Sequence, residues 1–292
     1  MAATGTAMKL HVAVMAALAL SLGGLGWLAS DWTQRSDLSQ RDPSLLELLQ
    51  ELGSPPMAPP AGRRHAPAPP AHQAWVSPLR RSCTASDPEL ASRLRRQLAE
   101  LPSQATRVTI DPTNFGERFQ RDAYGNRVDP TPQVVVLHET VYGINSAINT
   151  FTTAHPHDDD QVSYHALIGL DGQVVKLLDP AKRAFGAGNS AFNGRWVVTN
   201  PKVGGSVNNF ALHVSLETPL DGENAESAHS GYTRAQYDAL SVLLADWMRR
   251  FRIPPQNITT HRAVDLGGER ADPRSFDWGA LQQRLSSLGA LC

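Results

Sequence analysis

The chain reads as an α/β protein: one domain with a mixed central β-sheet flanked by helices. Three observations predict this. A short, fully apolar run, Val134-Val135-Val136-Leu137, follows Pro132 and has the character of a central strand covered on both faces. Phe210 to Glu217 alternates, with Leu212, Val214 and Leu216 on one side and His213, Ser215 and Glu217 on the other, as in a strand. Between and after these runs lie segments of helical periodicity, and strands interleaved with helices form layered α/β domains.

At 292 residues the chain can hold one sizeable domain with appendages. Lys9 precedes a nearly charge-free run from Val12 to Ala29, so residues 1–30 read as a secretory signal peptide or a membrane anchor. No clear Ala-x-Ala cleavage site follows, which favours the anchor, and either way the remainder is expected to be exported to the periplasm or cell envelope. Residues 31–82 read as a linker. From Ser54 to Pro78 it is rich in Pro and Ala (Pro55-Pro56, Pro59-Pro60, Pro67-Ala68-Pro69-Pro70), a composition that propagates neither helix nor ladder bonds.

The domain is expected over residues 83–292. Cys83 opens it and Cys292 ends the chain; they are either two unrelated thiols or a disulfide tying the ends together, which an oxidising compartment would permit. Asp87-Pro88 caps a helix with Leu90, Leu94, Leu98 and Leu101 on one face. Ser146 to Ala154 is predicted helical. Tyr164–Gly169 and Gln173–Leu177 flank Asp171-Gly172, a strong hairpin signal. Thr233 starts a long amphipathic helix carrying Tyr237, Leu240, Leu243, Leu244, Trp247 and Phe251, and Pro254-Pro255 ends it.

A formal net charge of −1 gives no general attraction to nucleic acid, so a nucleic-acid partner is not expected. Neither cysteine lies in a C-x-x-C pair, which argues against a thiolate metal site. His138 at the polar end of the apolar run, His261, and Asp272 before Pro273 instead offer two imidazoles and a carboxylate. Three such ligands leave one zinc position open for water, as a hydrolytic site requires. They are far apart in sequence, so only the fold could unite them. His155-Pro156-His157-Asp158-Asp159-Asp160 is metal-like in composition but reads as a solvated acidic loop. His165 could line a cleft, orient a ligand or pack structurally, and His213 is a weaker candidate for contacting a ligand from behind.

Several motifs occur together in one order: Leu137-His138-Glu139-Thr140, Val162-Ser163-Tyr164-His165, the Asp171-Gly172 hairpin and Ala187-Gly188-Asn189-Ser190. Leu216-Glu217, Thr260-His261-Arg262, Arg270-Ala271-Asp272-Pro273 and Phe276-Asp277-Trp278 complete the series. Over about Val134 to Leu285 the chain resembles the zinc-dependent N-acetylmuramoyl-L-alanine amidases of the type 2 amidase family, related to the peptidoglycan recognition proteins. The resemblance implies a Zn2+ cofactor held by His138, His261 and Asp272, with Glu217 as the catalytic glutamate. It places Arg270 where a lysine usually steadies the oxyanion; arginine keeps the charge but cannot donate its proton at ordinary pH.

A second departure is Phe185-Gly186-Ala187-Gly188, where many members carry Trp-His before Ala-Gly. Gly186 removes a side chain from the expected cleft. The implied reaction is hydrolysis of the amide between N-acetylmuramic acid and L-alanine, with peptidoglycan or a muropeptide as partner and a monomer as the simplest assembly. The alternatives are a non-catalytic muropeptide-binding module and a zinc peptidase cutting within the stem peptide.

Overall fold

The computed structural model describes residues 65–83 and 87–292, and the predicted signal or anchor and residues 31–64 of the expected linker lie outside them. The first helix, α1 (Pro88–Gln104), begins where Asp87 accepts the N–H groups of Glu89 and Leu90 at 3.0 and 2.9 Å, with Pro88 at the first helical position. Strands β1 (Thr106–Arg107) and β2 (Phe115–Glu117) follow, then β3 (Val134–Glu139), helix α2 (Ile144–Thr152), β4 (Ala166–Ile168), β5 (Val174–Lys176) and β6 (Lys182–Ala184). Next come β7 (Val197–Asn200), β8 (Gly204–Ser206), β9 (Ala211–Leu216), the long α3 (Arg234–Phe251), β10 (Ile258–Thr260), α4 (His261–Val264) and α5 (Trp278–Ser287).

Six strands form the main sheet in the order β1-β5-β4-β9-β3-β10, and only the β4–β5 hairpin is antiparallel. Gly172 turns that hairpin at φ +83°, a conformation glycine adopts without steric cost. β3 is buried along its whole length because both of its faces are covered. Val135 and Leu137 pack with Leu212, Val214 and Leu216 against α1, α3 and α5, while Val134 and Val136 meet Phe192, Val197, Val207 and Phe210 on the opposite face. The apolar run is thus continuous for a physical reason, since each neighbour in it serves a different core.

The helix termini follow their local chemistry. Thr233 and Gln236 make a reciprocal capping box at the start of α3, and Arg252 closes it in the left-handed conformation before Pro254. Helix α2 begins two residues earlier than its sequence suggests, and its cap comes from just beyond a distant strand.

The last part of the expected linker lies on the domain. Pro67 O accepts from Trp196 Nε1 at 2.8 Å, and the Trp75 N–H donates to Asn193 Oδ1 at 2.8 Å. The Trp75 ring packs on Trp278 at 5.7 Å, and Arg80 exchanges two hydrogen bonds with the Gln282 side chain. This strap ends at the disulfide between Cys83 and Cys292. Closing a loop of that length restrains the unfolded chain, by up to about 5 kcal/mol in an entropic account. Compact structure accordingly begins before Cys83.

Candidate metal centre and cleft

Parallel strands bring their carboxyl ends to one edge of the sheet, and two of the three predicted ligands arise there. His138 is the fifth residue of β3, in register with Ser215 of β9. His261 immediately follows β10 and opens α4, whose cap is the Thr260 hydroxyl accepting from Ala263 N. Asp272 comes from the loop before α5, tied down where its carbonyl accepts the Arg262 N–H at 3.0 Å. His138 Nδ1 lies 3.2 Å from Asp272 Oδ2, and His261 Nδ1 lies 3.0 Å from Asp272 Oδ1. The donor atoms all fall within 4.8 Å of one another, the only such group of metal-ligating residues among those described.

The electrostatics suit ligation. Burial, first of all, pushes the His138 imidazole down to about 4, with the charges of His261 and Arg270 adding to it against the opposing pull of Asp272. It is therefore neutral at physiological pH, with a lone pair to offer. Burial alone would raise the Asp272 carboxyl, but the hydrogen bonds and charges of the two histidines outweigh it and hold the group well below the usual carboxylate range. Two imidazole nitrogens and an ionised oxygen, converging without another protein ligand, form a donor set that fits a divalent metal.

On one side this group opens into a cleft of about 1130 Å³. Its walls include the acidic turn Asp158–Asp160, the β7–β8 hairpin and the segment around Glu226. Arg270 lines the cleft, and it is its backbone N–H, not its guanidinium, that donates to Asp265 Oδ2. The guanidinium has no ion-pair partner among the described residues.

Glu217 does not join the set. One carboxylate oxygen accepts the Ile144 N–H and the other the Leu170 N–H, both at 2.8 Å, and the residue is absent from the cleft lining. The carboxylate that the resemblance implies for catalysis is spent on capping α2 and holding the hairpin. His165 is not in the cleft either. It lies behind the site, its Nδ1 accepting the His213 N–H at 3.0 Å and its Nε2 facing Lys182 O and Arg118. The acidic His155–Asp160 segment gathers no metal-ligating group of its own and forms the rim.

Sequence reasoning missed two features. Tyr164 lines the cleft and stacks on the His138 ring at 4.4 Å, and burial followed by the Asp272 charge raises its phenol, so it stays protonated. Its place directly before His165, in a motif already singled out, was the available signal. Glu139, next to His138, is bound by the Arg274 side chain, by the Arg274 N–H at 2.9 Å and by His229 Nε2 at 3.1 Å. Arg274 then donates to the carbonyls of Gly222 and Glu226, each at 2.6 Å. That network fastens one cleft wall to the segments that carry His138 and Asp272, and no local pattern announces it.

The protein family described as N-acetylmuramoyl-L-alanine amidase (Amidase_2) matches residues 128–275. The 1,6-anhydro-N-acetylmuramyl-L-alanine amidase AmpD of Citrobacter freundii is 32% identical over 173 residues, covering 59% of this chain and 73% of that protein. The N-acetylmuramoyl-L-alanine amidase AmiD of Escherichia coli K12 is 26% identical over 164 residues, covering 53% and 54%. A crystal structure of a Se-Met AmpD derivative aligns with a TM-score of 0.47 at 26% identity, covering 62% of this chain and 94% of that one. With half of its length matched by that family and a relative so similar, the chain belongs to the N-acetylmuramoyl-L-alanine amidase family and is an amidase.

Proposed function

We propose that this amidase is zinc-dependent and exported, and that it cleaves the bond between N-acetylmuramic acid and L-alanine in peptidoglycan or its fragments. The observation that carries the reading is the convergence of His138, His261 and Asp272 beside an open cleft that His261 and Asp272 line. Zinc, when bound by such a set, polarises the scissile carbonyl and lowers the pKa of a bound water. The chain supplies the rest. Burial keeps His138 neutral and fit to ligate, and Asp272 bridges the two imidazoles.

Arg270 brings a permanent positive charge to the cleft and can donate a hydrogen bond to the oxyanion as it forms. Tyr164 lines the cleft with a protonated phenol, and its stacking restrains the His138 ring. The family match and the complete donor set favour a catalyst over the non-catalytic binding module. Export is supported by the disulfide, which persists in an oxidising compartment, and by the apolar N-terminal run. Cell fractionation tests it, and a reduced protein in the cytosol would reject it.

Incubation of the zinc-loaded protein with sacculi and with anhydro-muropeptides, followed by mass spectrometry, tests the activity. Release of intact stem peptides with a free L-Ala amine is expected. Cleavage inside the stem peptide would mark a peptidase instead. The preferred substrate is read from the relative rates, and the anhydro-muropeptide arm is motivated by the name of the Citrobacter relative.

A further inference from the structure

β9 carries one more imidazole at this centre than the ligand set uses. His213, in register with Val136, is fully buried, and its Nδ1 lies 3.0 Å from His138 Nε2. If His138 ligates through Nδ1, its proton resides on Nε2 and donates to His213 Nδ1. The His213 ring lies parallel to that of His165 within 7°, their centroids 6.0 Å apart, and its backbone N–H donates to His165 Nδ1. Its remaining nitrogen, Nε2, is buried without a hydrogen-bond partner among the described residues. Packing alone would favour an apolar side chain there, since an unsatisfied buried donor is costly.

The room for this ring comes from position 186. A Cβ on Gly186 would stand 2.4 Å from His213 Nδ1, far inside van der Waals contact. The imidazole enters that space from β9, behind the ligand.

We propose that His213 and Gly186 form one device: His213 is the positioning residue that holds His138 in its ligating orientation, and Gly186 is the gap that admits it. The proposal rests on the reading of His138 as a metal ligand. It deepens that reading by naming what orients the ligand, a role that typically contributes about 10–100-fold to metal affinity.

The test is zinc affinity of the full chain, stripped of metal and titrated against a chromophoric competitor, with thermal unfolding of the metal-free protein measured alongside. His213→Leu keeps bulk and loses the acceptor, so it should bind zinc about 10–100-fold more weakly. His213→Asn returns an acceptor oxygen near the Nδ1 position and should recover most of that loss, which a merely structural role would not produce. Gly186→Ala should weaken zinc binding by a similar factor in the native background and add little to His213→Ala, because the clash has then gone. Native affinity in His213→Leu, or an equal Gly186→Ala effect in both backgrounds, would overturn the proposal while leaving the metal centre standing. No zinc uptake by the native chain would overturn the metal centre itself.

Discussion

Replacing Glu217 separates two roles that the resemblance and the geometry assign differently. Helix α2 starts at Gly143, which supplies no side-chain cap, and the Glu217 carboxylate reaches across from the end of β9 to accept the Ile144 N–H at 2.8 Å. Its second oxygen accepts the Leu170 N–H at 2.8 Å, fixing the entry to the Asp171-Gly172 turn. A carboxylate at a helix N-terminus also meets the favourable end of the macrodipole. Hydrogen bonds to a charged group contribute about 1.5–3 kcal/mol each, and Glu217 is half-buried, so water can compensate in part. Glu217→Ala should therefore cost about 2–4 kcal/mol, and Glu217→Gln, which keeps one acceptor, about half of that. For a domain of this size each kcal/mol lowers the melting temperature by about 2–4 °C. Calorimetry measures the loss, and turnover is assayed well below the transition with zinc content checked. Expected are a clear loss of stability, full metal occupancy and less than a tenfold fall in turnover. An unchanged melting temperature with a hundredfold or greater loss in Glu217→Gln would refute the capping role and restore Glu217 as the general acid–base.

Alanine at His138, His261 or Asp272 should abolish stoichiometric zinc binding and turnover while circular dichroism stays native, because two donors cannot hold the ion in an open site; normal metal content in any variant removes that residue from the set. Arg270→Ala should lower turnover about a hundredfold and Arg270→Lys should keep much of it, as for one oxyanion partner, with equal near-native rates for both refuting the role. Tyr164→Phe is expected to reduce turnover about tenfold without loss of zinc; a native rate would leave Tyr164 as packing for His138 alone. Burial first, then Arg118, pushes His165 down to about 3 from its ordinary 6.5. Between those values the unfolded chain takes a proton that the folded chain refuses, so stability falls as pH drops, by about tenfold in the folding equilibrium per pH unit. Denaturant melts from pH 6.5 to 4 should show a shallower decline in His165→Asn; an identical slope would mean that His165 protonates freely in the native state.

The parts of the fold legible in the sequence are those whose physics is local. β3 announces itself because both of its faces are buried, and α1 and α3 do so through the Asp87 and Thr233 caps. Strands β2 and β6–β8 are three or four residues of mixed polarity, and their pairings exist only through the folded neighbourhood. The start of α2 is misread for the same reason, since its cap is the side chain of Glu217, just beyond β9. The strap is misread because proline composition speaks to what a segment cannot form and not to what it can lie against. Trp75, docked on Trp278, decides that question.

The same distinction divides the site. His138 and His261 stand at the ends of adjacent parallel strands, so once the strand order is known their meeting follows from register alone. Glu217 obeys the same alternation on β9 as His213 and Ser215, and period-two reasoning puts all three on one face. The chain leaves the sheet after Leu216, however, and two unsatisfied amides lie within reach of the carboxylate. Competition for a hydrogen-bond acceptor, not periodicity, then decides where it goes. Position 186 shows the converse case. Read along the chain, a glycine there is a side chain lost from the cleft; read across the sheet, it is the space that the His213 ring occupies. A departure at one motif has its counterpart on another strand, and the chemistry of His138 depends on both.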